Sequence, residues 1–170
     1  MPGLVSLPRV PAHWTTELHR PPLPLDPAVR AVGAIGLLTV GLIHILEIHG
    51  QLSGAVWLTV GFCLLAVSAP VVGLWLLARP SSAAWQLSGL TCLGAAGGYI
   101  LTRSVPVPGD TGDRGNWLGD PLGPTSLFVE GIVIILAVFV VASIRARGEH
   151  DKAVTPRATV PAPRRQDTAA

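Results

Sequence analysis

Two histidines and a glutamate follow a long apolar run in the first third of the chain. His44, Glu47 and His49 come directly after the run from Ala31 to Ile43. Ionisable side chains inside or at the edge of such a run are costly unless they have partners or a function. His44 and Glu47 are three residues apart, so a helix would place both on one side, where they could share a metal ion.

The composition of the chain predicts the elements that position these residues. Of 170 residues, 49% are hydrophobic and only 13% are charged, whereas a soluble domain carries about 25% charged residues. Four long apolar runs predict an all-α, polytopic membrane protein with four transmembrane helices in a bundle. The expected helices cover residues 28–49, 52–78, 83–103 and 124–144. The remainder forms a Pro-rich disordered tail (1–27), a loop (104–123) and a basic disordered tail (145–170).

The distribution of basic residues predicts how the chain is oriented. Ten of the twelve Lys and Arg residues lie in the two tails, at the start of helix one or after helix two, which are all on one side of the membrane in a four-helix arrangement. Only Arg103 and Arg114 lie on the opposite side of the membrane. Basic residues concentrate on the cytoplasmic side of membrane proteins. The sequence therefore predicts a multi-pass protein of the cell (inner or plasma) membrane, with both termini cytoplasmic and loop 104–123 extracytoplasmic.

Helices three and four carry ionisable residues at the same level as those of helix one. At 1.5 Å per residue, His44 and Tyr99 lie about 6 Å, and Glu130 about 9 Å, inside the outer face. We therefore expect one buried polar cluster, formed by His44, Glu47, Tyr99, Arg103, Ser126 and Glu130.

Three interpretations of this cluster stay open. In the first, Arg103 bridges Glu47 and Glu130, and the network only holds the helices together. In the second, His44, Glu47 and Glu130, with His49 as a further candidate ligand, bind a divalent metal ion such as zinc, iron or copper. In the third, Glu130 and His44 relay protons. The contacts of Arg103 distinguish them, because an arginine turned away would leave His44 and the carboxylates around a void.

Helix three also contains closely spaced glycines. Gly94 and Gly98 are four residues apart, so they share one face of the helix. A face without side chains allows two helices to approach closely. We expect these glycines to pack against a neighbouring helix.

Three stretches of the chain resemble a group of small, uncharacterised bacterial integral membrane proteins of actinobacterial type. These proteins have a His…Glu element late in helix one, Tyr-x-x-[Ser/Thr]-Arg-[Ser/Thr] closing helix three, and Ser-x-x-x-Glu on helix four. The matching residues here are His44 and Glu47, Tyr99 to Ser104, and Ser126 and Glu130, while Pro106 stands where glycine is usual. The resemblance covers residues 30–145 and implies a four-helix fold in which these residues form one constellation.

The loops contain no nucleophile–base pair, phosphate-binding loop or nucleotide-binding fingerprint, so the sequence favours a protein that is not an enzyme. It predicts contact with the lipid bilayer and no nucleic-acid partner. The first functional expectation is a subunit or accessory of a membrane assembly, formed with further copies of the chain or another membrane protein. The alternative is a small metal-ion or proton-handling membrane protein that uses His44, Glu47 and Glu130.

Overall fold

The computed structural model describes residues 26–52, 55–109 and 113–154. Within these ranges the chain is all-helical and has four helices, α1 (Pro27–Gln51), α2 (Val56–Ala78), α3 (Ser82–Ser104) and α4 (Leu122–Val154). The predicted all-α fold is confirmed. The predicted disorder of the C-terminal tail is wrong for residues 145–154, which are helical, and the rest of the two predicted tails, 1–25 and 155–170, lies outside the described residues.

Three of the four helices, α1, α2 and α4, are long and apolar enough to cross a membrane, which is consistent with a membrane protein. Helix α3 has 23 residues, so its length is also sufficient. It is less apolar than the others because it contains many glycine, serine and threonine residues.

Local sequence signals explain where the helices begin and end. The Asp26 carboxylate accepts a hydrogen bond of 2.9 Å from the backbone N–H of Ala28, and the Ser81 hydroxyl accepts one of 3.1 Å from Ala84. Both residues therefore act as N-caps, of α1 and α3 respectively. Helix α4 continues to Val154, beyond its predicted end at residue 144, because residues 145–154 are mostly good helix formers and contain no proline.

The helices pack as two pairs, α1 with α2 and α3 with α4, and α1 also contacts α4 while it barely touches α3. Large apolar side chains on the outside of the bundle, such as Ile35, Val67 and Ile135, are exposed, as suits contact with lipid. The core fills the middle of the bundle and the half near the α2–α3 connection; it consists of Leu37, Val40, Ala69, Val72, Leu76, Ala84, Trp85, Cys92, Val133, Ala137 and Val140.

Helix α2 contains Pro70, at a point where α1 packs closely against it. Proline lacks a backbone N–H, so it interrupts the hydrogen-bond ladder of its helix. Gly41 of α1 lies opposite, and a Cβ atom added to it would be 2.5 Å from Pro70 Cγ. The proline ring therefore occupies the space that a side chain at position 41 would need.

Gly41→Ala is expected to lower the free energy of unfolding in detergent by about 1–3 kcal/mol, because the rigid proline ring cannot move aside without shifting a helix. Gly131→Ala is the matched control, since Gly131 lies inside α4 and an added Cβ meets nothing within 4 Å. Denaturant unfolding followed by circular dichroism measures both. Equal stability of the two variants would show that α1 and α2 are not this close.

Candidate functional site

A cavity of about 250 Å³ lies at the end of the bundle where α1 and α3 end and α2 and α4 begin. We call this the loop end of the bundle, because the α3–α4 connection (105–121) lies there. All four helices and this connection contribute to the cavity walls. The walls include all six residues of the predicted polar cluster, His44, Glu47, Tyr99, Arg103, Ser126 and Glu130.

Glu130 is the most deeply buried ionisable side chain of the cavity, with 2% of its surface exposed. Ser126, one turn earlier on α4, donates a hydrogen bond of 2.6 Å from its hydroxyl to Glu130 Oε1. Within the described part of the chain, Oε2 of Glu130 forms no hydrogen bond. One oxygen is therefore held in place while the other is available to a group inside the cavity.

His44 is also buried, with 7% of its surface exposed. Its Nδ1 atom lies 2.8 Å from the carbonyl oxygen of Val40. A carbonyl oxygen can only accept a hydrogen bond, so Nδ1 carries the proton and Nε2 of the neutral ring has a free lone pair. The ring also packs against Phe62, with 5.1 Å between the ring centroids. His44 therefore brings a proton acceptor to the cavity.

The Glu47 carboxyl group lies close to that of Asp120, which precedes α4, and both line the cavity. Glu47 Oε1 is buried and has no hydrogen-bond partner among the residues described. The sequence singled out Glu47 but not Asp120, which only the course of the α3–α4 connection brings to α1.

Arg103 forms no ion pair with Glu47 or Glu130, so the first of the three interpretations, in which it bridges these carboxylates, is wrong. Its Nη1 atom lies 2.6 Å from Asp113 Oδ2, and its Nε donates a hydrogen bond of 3.2 Å to the carbonyl oxygen of Asn116. Asp113 lies only ten positions further along the chain, in a connection that folds back over the end of α3. Arg103 is thus bound to the connection rather than to the buried carboxylates.

Aromatic side chains hold the connection against the helices and form part of the cavity wall. Trp57 Nε1 donates a hydrogen bond of 2.9 Å to the carbonyl oxygen of Pro108, and the Tyr99 hydroxyl donates one of 2.7 Å to that of Trp117. Trp57, Phe62 and Tyr99 all line the cavity. Of these three residues, only Tyr99 belongs to the cluster predicted from the sequence, because nothing in the local pattern of α2 distinguishes Trp57 and Phe62 from lipid-facing aromatic residues.

The prediction that Gly94 and Gly98 pack against another helix is wrong. A Cβ atom added to either glycine would meet nothing within 4 Å, and both glycines line the cavity. Their missing side chains therefore create space at the site. Gly123 has the opposite role, since its added Cβ would lie 2.5 Å from Tyr99 Cε2, so this glycine lets the Tyr99 ring lie against the start of α4.

The geometry does not favour the predicted metal site. Within 26–52, 55–109 and 113–154, no group of three His, Cys, Asp or Glu side chains could hold a metal ion. His44, Glu47 and Glu130 line one cavity without forming such a group, and the further candidate His49 is exposed and outside the cavity wall.

The fold and the site together define a class of protein, a small all-helical protein with three helices long and apolar enough to span a membrane and an acidic cavity at one end of the bundle. Comparison of the chain with family models, curated proteins and solved structures found no match. Function is therefore inferred from the site alone, and the resemblance to small bacterial membrane proteins stays a prediction.

Proposed function

We propose that this chain is a non-enzymatic, proton-handling protein of the cell membrane, with α3 as a fourth transmembrane helix and both termini in the cytoplasm. The length of α3 and its packing against α4 support the fourth crossing. The concentration of Lys and Arg in the tails and the α2–α3 connection supports the orientation. In this orientation the loop end, and with it the acidic cavity, faces the outside of the cell.

The observation that carries this proposal is the position of Arg103. Because Arg103, the one Lys or Arg among the described lining residues, forms its ion pair with Asp113, it forms none with Glu47 or Glu130, which line the same cavity as His44. Ionised carboxylates in a low-dielectric environment need a positive partner, and without one they take up a proton. A cavity of about 250 Å³ also has room for several water molecules, each of which occupies about 30 Å³ in the liquid, and water carries protons between such groups.

The position of the core indicates where the protons go. Below the cavity, the packed side chains of Leu37, Val72, Leu76 and Trp85 close the bundle. A single chain therefore takes up and releases protons at its outer side and provides no polar path across the membrane. For this reason we retain the role of a subunit or accessory of a larger assembly, with a further copy or another membrane protein as the partner. Native mass spectrometry of the detergent-purified complex identifies that partner.

Infrared spectroscopy tests proton uptake directly. For the full chain reconstituted in lipid vesicles, we expect a C=O stretching band of protonated carboxyl groups that rises and falls reversibly with pH. Glu47→Gln and Glu130→Gln should each remove part of this band, because each removes one buried carboxyl group. Glu149→Gln, at an exposed position near the end of α4, is the matched control and should leave the band unchanged. A band that neither cavity variant alters would contradict proton uptake at this site.

A further inference from the structure

The charges that line the cavity do not balance. Four carboxyl groups line it, those of Glu47, Asp113, Asp120 and Glu130, and Arg103 is the one Lys or Arg among the described lining residues. Arg103 and Asp113 form an ion pair, so they contribute no net charge. The other three carboxyl groups, those of Glu47, Asp120 and Glu130, have no Lys or Arg partner among the described lining residues. The cavity therefore attracts positive charge.

Two carboxylate oxygens are placed to receive a hydrogen-bond donor. Glu130 is 98% buried, with 2% of its surface exposed, and its Oε2 forms no hydrogen bond within the described ranges. Glu47 Oε1 is buried and likewise has no partner there. Buried polar atoms are nearly always hydrogen-bonded in folded proteins. Glu47 Oε1 is such a buried atom, so a donor that enters the cavity would satisfy it, and Glu130 Oε2 on the facing helix α4 is a second acceptor without a hydrogen bond.

The size and walls of the cavity indicate what kind of cation fits. A volume of about 250 Å³ far exceeds that of a bare metal ion, and no group of three potential ligands could hold one in the described part of the chain. The rings of Trp57, Phe62 and Tyr99 line the walls, and the faces of aromatic rings attract cations. The structure already contains one such contact, since the guanidinium carbon of Arg103 lies 4.6 Å from the centroid of the Tyr99 ring.

We propose that the cavity binds a small organic cation, such as a protonated amine or an alkylammonium group, between Glu130 and Glu47. The charged group contacts these carboxylates, and its alkyl substituents contact Trp57 and Phe62 in the space left by Gly94 and Gly98. This proposal rests on the proposed proton uptake, because the carboxyl groups that take up protons are the same ones that bind the organic cation. One singly charged cation that enters displaces one proton, which passes to the outer solution, so the net charge of the cavity is unchanged.

Choline and its neutral carbon analogue 3,3-dimethylbutan-1-ol are matched probes of this site. They have nearly the same shape and differ in one positive charge. Isothermal titration of the full-length protein in detergent should detect choline binding and at least about tenfold weaker binding of the alcohol, because a charged contact contributes more than a neutral one. Titrations in two buffers with different ionisation enthalpies should show the release of about one proton for each choline bound. Equal affinity for the two probes, or no choline binding, overturns the proposal.

Variants of the cavity wall locate the bound probe. Glu130→Gln should weaken choline binding about tenfold or more, because it removes a charged partner. Phe62→Leu should weaken it about threefold to thirtyfold, as expected for the loss of a cation–π contact. Glu149→Gln and Trp75→Leu are controls outside the cavity and should bind choline as the wild type does. If Glu130→Gln does not fold, Glu47→Gln provides the same test, and unchanged affinity in the folded cavity variants overturns the site.

The two proposals fail in distinguishable ways. If the carboxyl band in the infrared spectrum titrates and depends on Glu130 but choline does not bind, proton uptake stands and the organic-cation site is wrong. If choline binds in a manner that depends on Glu130 but no proton is released and no carboxyl band titrates, the cation site stands and proton handling is wrong.

Discussion

Gly98→Leu is expected to eliminate most choline binding while the protein stays folded. An added Cβ at Gly98 meets nothing within 4 Å, so the leucine side chain can enter the cavity without moving a helix. It would occupy space that the cation needs, and overpacking of a filled site costs about 1–3 kcal/mol, or about a fivefold to 150-fold loss of affinity. Isothermal titration with choline measures this loss, and circular dichroism verifies the fold.

Gly97→Leu is the matched control for this variant. Gly97 is the preceding residue of the same helix, its added Cβ also meets nothing within 4 Å, and it does not line the cavity. Both variants change the helix propensity of α3 in the same way, so only their positions relative to the cavity differ. Equal affinities of the two variants for choline would show that the cation binds elsewhere.

Trp85→Ala is expected to destabilise the bundle more than Gly41→Ala does. Trp85 lies near the start of α3 and has 0% of its surface exposed. Its ring packs beside Gly33, where an added Cβ would be 2.9 Å from Trp85 Cη2. Removing a buried tryptophan side chain leaves a cavity and costs about 3–5 kcal/mol. The free energy of unfolding in detergent, from a denaturant titration, measures the change.

Two further tryptophan variants show whether packing is the cause. Trp85→Phe should cost much less than Trp85→Ala, because it keeps an aromatic ring in place and removes the buried Nε1 donor, which has no partner among the residues described. Trp75→Ala, at a position that is 37% exposed, should lower stability only slightly. If Trp75→Ala destabilises the protein as much as Trp85→Ala, the packed core around Trp85 does not account for the stability of the bundle.

Features that depend only on residues close together along the chain could be predicted from the sequence. The apolar runs are local, so they predict four helices that, apart from the end of α4, lie within a few residues of where the structure has them. The rise of a helix is constant, so counting residues from the end of each run placed His44, Tyr99 and Glu130 at one level. All three line the same cavity.

Contacts of the cavity that involve loops and facing helices could not be predicted in this way. The sequence identified Arg103 and the carboxylates but paired them wrongly, because the partner Asp113 lies in an irregular connection whose path no periodicity encodes. Likewise, Gly94 and Gly98 have the spacing of a helix contact but line a void. The spacing shows that two glycines share a face, and it does not show what that face meets.

By itself, the sequence determined the helical class of this protein, three helices able to span a membrane, and the set of ionisable residues near one end, because these follow from local composition and helix geometry. Only the tertiary structure decided that these residues surround a cavity with aromatic walls, that Asp120 joins Glu47, and that Arg103 is bound elsewhere. The physical reason is that such contacts depend on the rotation of each helix about its axis and on the course of the α3–α4 connection.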